Sequence, residues 1–224
     1  MQTEPTPTTE LRQLLLAEFG WQTSSRFTGG ELQTILSAGR DIRSFVEGVM
    51  PGQGAAWMTR WLSALRFHSQ GLPQRVVTFF NRAPTSLVFP FRDIWFVKDL
   101  DRFRNPRQHV THEIGHVLDN RSGGWLPSIW FGRGDGDKLA RFVGGKPARL
   151  RWINGSVDIP NAHRWTQPEQ HPGYGDHSTA DYFAEAFTWA IYDPGRCPHP
   201  GMVTWLKERI RAMLITTDQA RLNM

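Results

Sequence analysis

Two histidines and a glutamate occur at a spacing that suits metal-assisted hydrolysis. His112 and His116 are four residues apart, and Glu113 directly follows the first histidine. On a helix, residues at i and i+4 share one face, so both imidazoles can bind a single metal ion. The carboxylate of Glu113 can then reach a water molecule beside that metal. The pattern His-Glu-x-x-His is typical of zinc peptidases and predicts Zn²⁺ as the cofactor of a hydrolase.

The residues around this motif predict the helix that it requires. Asn105 can cap a helix with Pro106 at its first position, and the pattern continues to about Asn120. The apolar residues fall on one side of this helix and the polar residues on the other, namely Val110, Ile114, Val117 and Leu118 against His109, His112, Glu113, His116 and Asp119. An exposed polar stripe on an ordinary amphipathic helix is the alternative interpretation. His109, one turn before the pair, is interpreted as flanking the site rather than as a ligand.

Zinc needs a third protein ligand, and its position in the sequence separates the peptidase subclasses. A metzincin would carry a histidine six residues after His116, where this chain has Ser122. The metzincin subclass is therefore excluded. The remaining candidates are a distant carboxylate or one of His163, His171 and His177.

The segment 178–192 offers carboxylates for this role. Ser178 can cap a helix, and Asp193-Pro194-Gly195 can end it. This helix is apolar around most of its circumference and leaves a narrow polar stripe of Asp181, Glu185, Thr188 and Tyr192. Burying two carboxylates is costly unless they meet a cation or strong donors. Zinc and its histidines would satisfy them, and salt bridges to arginines are the alternative.

These residues together resemble a known group of enzymes. Tyr174-Gly175, followed by Asp181-Tyr182-Phe183-Ala184-Glu185, is similar to the second motif of the anthrax lethal factor-like metallopeptidases, a gluzincin-like family that includes the clostridial Pro-Pro endopeptidases. The resemblance implies that Asp181 is the third zinc ligand and that Glu185 hydrogen-bonds a metal-bound histidine. It also implies that the Tyr174 hydroxyl donates to the oxyanion of the tetrahedral intermediate. Glu113 would act as the general base.

The chain departs from this family at the third ligand. The family usually has Glu where this chain has Asp181, whose side chain is one methylene shorter. Either the second helix approaches the metal more closely, or Glu185 becomes the direct ligand. We favour Asp181, because carboxylates four residues apart on a helix can divide the two roles between them.

The expected fold is α+β and zincin-like, formed by a single metallopeptidase domain over residues 1–224. Residues 1–104 are expected to form N-terminal helices and a small mixed sheet that lies over the motif helix. The motif helix occupies residues 105–122, and residues 123–224 form a helical C-terminal lobe with the third ligand. One strand of the sheet is expected to pair with an extended substrate.

Local patterns predict the other elements. Capping and periodicity indicate helices from Pro7 to about Phe19, Thr28 to about Glu47, Ala55 to His68, Lys138 to Val143, and Met202 to Leu214. Runs of branched and aromatic residues indicate strands at Arg75–Phe80, Ser86–Phe91 and Ile94–Lys98. Asp135-Gly136-Asp137 resembles a fragment of a calcium loop, but it lacks the other ligands and is expected to be a turn.

The amino-acid composition of the chain indicates what kind of protein would carry this site and where it would act. The chain has 224 residues, of which 39% are hydrophobic, which is enough for one sizeable core. It contains no apolar run near the roughly 18 residues of a membrane span, and its start lacks the features of a secretory signal. We expect no membrane association and a cytoplasmic location by default, with non-classical export left open. Cys197 is the sole cysteine, so no intrachain disulfide is expected, and its thiol is expected to be inert.

The net charge of the chain gives information on its binding partners. The formal net charge is +5, but the basic residues are scattered among glycines and aromatic residues rather than gathered into one run. Nucleic acid is therefore disfavoured as a partner. We expect a monomer that acts on a peptide or protein substrate, and the resemblance also implies a role like that of secreted toxins or effectors.

Two alternatives to a peptidase stay open. A metal-dependent amidase acting on a non-protein substrate would share every residue named above. A non-catalytic domain, which retains zinc structurally or binds nucleic acid through its arginines, would be indicated by His171 or His177 filling the water position as a fourth ligand.

Overall fold

The computed structural model describes residues 7–69, 86–89, 92–96, 99–123, 134–144, 179–197, 199 and 201–222, with the backbone alone for 86–89, 123, 179–181, 196 and 215–222. These residues form a mixed structure of helices and a small sheet, so the expected α+β class is confirmed. The helices are α1 Thr8–Phe19, α2 Gly29–Val49, α3 Gly54–Leu62, α4 Pro106–Gly123, α5 Asp135–Phe142, α6 Thr179–Tyr192 and α7 Met202–Leu222. The strands are β1 Gln22–Thr23, β2 Arg66–Ser69, β3 Ser86–Phe89 and β4 Asp93–Phe96.

The sheet has the strand order β1-β2-β4-β3. β2 runs parallel to β1 and to β4, whereas β3 runs antiparallel to β4, with Leu87 opposite Trp95. Burial alternates along the strands, because Phe67, Ile94 and Phe96 enter the core while their neighbours face outward. Among the strands named here β3 ends the order, and it contacts α4. The sheet therefore meets the motif helix through an antiparallel strand.

A residue at the start of α2 forms a hydrogen bond with the short turn Leu100–Arg102 that precedes α4. Thr28 and Glu31 form a capping box, as the Thr-x-x-Glu pattern at the start of this helix predicts, since the Glu31 amide donates to Thr28 Oγ1 at 3.2 Å and the Thr28 amide donates to the Glu31 carboxylate at 2.9 Å. Glu31 also accepts a hydrogen bond of 2.9 Å from the amide of Leu100. Leu100 is buried in a hydrophobic cluster that the helices and the sheet share. One carboxylate thus caps α2 and anchors the segment that leads into the motif helix.

Helices α4 and α6 approach each other closely at Gly115. A Cβ atom at this position would lie 2.9 Å from Ala184 Cα and 3.2 Å from Ala184 Cβ. Carbon atoms do not pack at the shorter distance, and the atom in the way belongs to the backbone of α6. Glycine within the His-Glu-x-x-His motif is therefore required by the packing of these two helices.

The helix expected over Ala55–His68 is wrong in its second half. The observed helix α3 ends at Leu62, and Arg66–Ser69 forms β2 instead. Between them, Ala64 adopts a left-handed backbone conformation with φ of 59°, which interrupts the helix. The guanidinium of Arg121 donates to the carbonyls at the end of α3, those of Trp61 and Ser63, at 2.6 and 3.1 Å. A donor from a distant helix thus replaces the hydrogen bonds that a longer helix would have made.

The turn expected at Asp135-Gly136-Asp137 is also wrong, because these residues form the first turn of α5. The Gly136 amide donates to Asp119 Oδ1 at 2.7 Å, so a carboxylate from α4 caps this helix from outside. Asp135 pairs with Arg209 of α7 at 2.8 Å. These partners are far away in the sequence, which explains why local patterns suggested a turn.

Most of the other predicted elements agree with the structure to within a few residues. β3 ends at Phe89, and β4 begins at Asp93. Helix α7 extends to Leu222, beyond the predicted end at Leu214. The strand predicted at Arg75–Phe80 lies outside the described residues. None of the helices in the described part of the chain combines the length and the apolar character needed to cross a bilayer.

Candidate metal centre

The polar side of α4 is buried. His112 and Glu113 are only 8% and 5% exposed, and Asp119 is fully buried. The apolar side is buried as well, with Val110, Ile114, Val117 and Leu118 in the hydrophobic cluster. An exposed polar stripe on an amphipathic helix, the alternative interpretation of this pattern, is therefore excluded. Polar groups enclosed in this way need partners or ligands that compensate for their lost hydration.

The imidazoles of His112 and His116 converge. Their Nε2 atoms lie 3.1 Å apart, and their ring planes are nearly perpendicular, at 86°. Two Zn–N bonds of about 2.0–2.1 Å at a tetrahedral angle place the two nitrogens about 3.3 Å apart. The observed separation is close to this value, so the histidine pair fits a zinc ion that binds both Nε2 atoms. A hydrogen bond between the two rings, with one Nε2 protonated, fits the same distance.

Glu185 lies behind His112, on the side away from His116. Its Oε1 atom is 3.3 Å from His112 Nδ1, within ion-pair distance, and its side chain is 18% exposed. A carboxylate at this position favours a proton on Nδ1, which leaves the Nε2 lone pair for a metal. Glu185 therefore lies within ion-pair range of His112, whereas its hydrogen bond to a metal-bound histidine stays a prediction.

Glu113 has a neighbour on its own helix, His109, which the sequence predicts to flank the site. The His109 imidazole lies one turn earlier on α4, with Nε2 at 3.9 Å from Glu113 Oε1. Its ring stacks on Phe103, with 3.8 Å between the ring centroids and 16° between the planes. The i to i+4 spacing could have indicated this pair. The stacking partner could not be found in the same way, because Phe103 precedes α4.

The remaining site residues lie partly or wholly outside the described set. Asp181 belongs to α6, one helical turn before Glu185, and its backbone alone is described. Tyr174 lies outside the described residues, as do the candidate ligands His163, His171 and His177. Among the side chains that the structure does describe, no group of three His, Cys, Asp or Glu residues could hold a metal. A third ligand would therefore come from a residue beyond that set.

A second polar cluster joins α4 to α6 nearby, and we call it the Tyr192 network. The Tyr192 hydroxyl donates to Asp41 at 2.8 Å and lies 3.0 Å from the Thr111 hydroxyl. Arg107 pairs with the same Asp41 at 2.8 Å. Burial raises the pKa of Tyr192 to about 12. The network ties the motif helix to α2 and to the C-terminal end of α6.

Cys197 does not contribute a nucleophile. Its thiol is half-buried, and burial, with a smaller effect from Asp193, raises the pKa of the thiol to about 11. Since the thiolate is the reactive form, a cysteine with this pKa is largely protonated at neutral pH.

Comparison of the chain with models of protein families, with curated proteins and with solved structures gave no match. The chemistry of the site therefore has to be argued from its geometry. We use the name histidine site for His109, His112, Glu113, His116 and Glu185. It combines two converging nitrogen donors, a buried carboxylate that can accept a proton, and a second carboxylate that orients one of the donors. Such a combination is suited to metal-assisted hydrolysis.

Proposed function

We propose that this protein is a zincin-type, zinc-dependent endopeptidase with His112, His116 and Asp181 as metal ligands. The observation that carries the proposal is the 3.1 Å approach of the two Nε2 atoms on a buried helix, with the Glu113 carboxylate next in sequence to one of them. The position of Glu185 against His112 Nδ1 supports the same assignment. Asp181 is proposed as the third ligand because it lies one turn before Glu185 in α6, the helix that packs against Gly115.

The donor set suits zinc, which binds imidazole and carboxylate in peptidases and keeps one position open. When bound, zinc acts as a Lewis acid, lowering the pKa of water to about 7 and polarising the substrate carbonyl. Glu113 accepts the proton of the attacking water and passes it to the amine that leaves. Its burial favours this role, because a carboxylate screened from bulk water exchanges protons with bound groups.

Two further parts of the chain complete the proposed mechanism. The Tyr174 hydroxyl donates a hydrogen bond to the oxyanion, and loss of one such donor typically costs a factor of about 10² or more in rate. The substrate backbone pairs with β3 as an additional strand. The contact between β3 and α4 supports this arrangement, because it brings the last strand of the described sheet against the helix that carries His112 and His116.

The proposal is tested by metal analysis together with substrate profiling. We expect the purified protein to bind a zinc ion per chain and His112→Ala to lose it. His68→Ala is the matched control, because His68 lies on the outer face of the sheet and pairs with Asp93 at 2.9 Å. Zinc retained by His112→Ala would contradict the ligand assignment.

Glu113→Gln tests the catalytic step separately from metal binding. The variant is expected to keep zinc and to lose a factor of about 10² to 10⁴ in kcat, because glutamine cannot accept the proton. A peptide library assayed beside small amides identifies the substrate class. Cleavage of small amides alone would replace the peptidase proposal with the amidase alternative, and full activity of Glu113→Gln would overturn both.

A further inference from the structure

The His109 ring is held in a fixed orientation next to Glu113. Its side chain is 7% exposed, and Phe103 covers one ring face at a centroid distance of 3.8 Å. Phe96 of β4 lies 5.8 Å away at a tilt of 53°. Aromatic contacts on two sides restrict rotation of the imidazole. The ring therefore keeps Nε2 directed along α4 toward the next turn.

The stacking partner is itself anchored. Phe103 follows the short 3₁₀ turn Leu100–Arg102, and its amide donates to the Leu100 carbonyl at 3.1 Å. Leu100 is buried in the hydrophobic cluster, and its amide donates to the Glu31 carboxylate at 2.9 Å. The orientation of His109 thus depends on a series of contacts that begins in α2.

The distance between His109 and Glu113 suits an adjustable contact. His109 Nε2 and Glu113 Oε1 are 3.9 Å apart, within ion-pair range but longer than the roughly 3 Å of a hydrogen bond. A shift of about 1 Å in the Glu113 side chain would allow Nε2–H to donate to Oε1. The other carboxylate oxygen would then be available to the attacking water.

We propose that His109 is a positioning residue for Glu113, an inference that rests on the proposed function. The imidazole holds one carboxylate oxygen, so the second oxygen is directed to the water that attacks the substrate. His109 does not bind the metal or the substrate. Its contribution is orientation, since a misplacement of about 1 Å at a reacting group can cost a factor of about 10² in rate.

Two substitutions at His109 separate positioning from packing. His109→Phe keeps an aromatic ring against Phe103 but removes the donor, whereas His109→Gln keeps a donor and loses the ring. We expect His109→Phe to lower kcat about 10- to 100-fold while KM and zinc content stay within about twofold. His109→Gln should restore most of kcat despite its poorer packing.

The control is His68→Phe, which makes the same exchange at a more exposed histidine that also has an aromatic and a carboxylate neighbour. His68 also stacks on an aromatic ring, that of Trp95 at 4.0 Å, and it lies 2.9 Å from the Asp93 carboxylate. This variant should leave kcat unchanged. Wild-type kcat in His109→Phe would overturn the inference, and so would a kcat loss that His109→Gln shares in full.

A structural measurement keeps the inference testable even if the protein cleaves no peptide. In crystals of the wild type the Glu113 carboxylate should lie about 3 Å from His109 Nε2, and in His109→Phe it should be displaced from that position by about 1 Å or more. An unmoved carboxylate would refute the positioning role whatever the activity. An inactive wild type with a displaced carboxylate would refute the proposed function alone.

Discussion

The Tyr192 network and the histidine site both join α4 to its neighbours, but they differ in how closely their partners approach. In the Tyr192 network, Asp41 receives the tyrosine hydroxyl at 2.8 Å and the Arg107 guanidinium at 2.8 Å. In the histidine site, His112 and Glu185 are 3.3 Å apart, and His109 and Glu113 are 3.9 Å apart. The first cluster is closed among protein atoms at hydrogen-bond distances. The second contains these two longer ion pairs beside the 3.1 Å approach of the His112 and His116 Nε2 atoms, which directs both nitrogens toward a common point.

We therefore expect the two clusters on α4 to have different roles, the Tyr192 network in the stability of the fold and the histidine site in function. Short hydrogen bonds between buried or half-buried groups contribute to the free energy of unfolding. Buried nitrogen donors that converge on one point are suited to a ligand, and such sites commonly reduce stability. Substitutions in the Tyr192 network should therefore change stability, whereas those in the histidine site should change metal binding.

The largest effect is expected from Gly115→Ala, because it separates the two helices that both clusters join. The added Cβ would lie 2.9 Å from Ala184 Cα. We expect a loss of about 1–3 kcal/mol in the free energy of unfolding, together with weaker zinc binding. Denaturant unfolding and zinc titration measure the two effects. Gly48→Ala in α2 is the matched control, since a Cβ there has nothing within 4 Å, and equal stability of the two variants would contradict the packing argument.

Glu185→Gln tests the histidine site alone. Loss of the carboxylate behind His112 is expected to lower zinc affinity about 10- to 100-fold, because it no longer favours the imidazole tautomer that binds the metal. The free energy of unfolding of the zinc-free protein should change little. Competition with a chelator measures the affinity, and the exposed Glu208→Gln serves as the control for the loss of charge. Unchanged affinity would remove Glu185 from the site.

Tyr192→Phe tests the other cluster. The variant removes the hydroxyl that Asp41 and Thr111 share, and we expect a loss of about 1 kcal/mol in the free energy of unfolding. Zinc affinity should stay the same, because the contacts described for the network are those among Asp41, Arg107, Thr111 and Tyr192. A change in zinc affinity larger than the change in stability would show that the two clusters are coupled.

The effect that is least visible at neutral pH is a pH dependence at the alkaline end. Burial raises the pKa of Tyr192 to about 12, above the value of about 10 expected in the unfolded chain. The neutral form is therefore favoured by folding, so this contribution to stability is present below pH 10 and is lost as the pH rises toward 12. We expect the free energy of unfolding to fall in this range, and to fall less in Tyr192→Phe. Burial also raises the pKa of Tyr182, which accounts for part of the same decrease.

The elements that carry the site could be predicted because their signals are local. The capping box at Thr28 and the Asn105-Pro106 start lie within a few residues of the helices that they begin. The spacing of His112 and His116 predicted their convergence, since one helical turn separates them. The relation of Glu185 to His112 came from resemblance, because no local pattern connects α4 with α6.

The features that sequence patterns missed depend on distant partners. The end of α3 is fixed by Arg121, and the first turn of α5 is capped by Asp119, each from α4. The requirement for Gly115 arises from Ala184, on the opposite helix. Hydrophobic periodicity indicates which residues of a helix are buried. It does not indicate which other helix donates a hydrogen bond to that helix or packs against it.

The double role of Glu31 has a consequence for variation in this protein. In an isolated helix, a Thr-x-x-Glu box could be exchanged for another good N-terminal cap at little cost. Here the same carboxylate also holds the Leu100 amide, and through it the segment that bears Phe103. A replacement of Glu31 that still caps α2 but cannot accept a hydrogen bond from the Leu100 amide would loosen the segment around Leu100, about seventy residues further along the chain. Under the proposed function, such damage would lower kcat, although Glu31 belongs to α2 and not to the two helices that carry the histidine site.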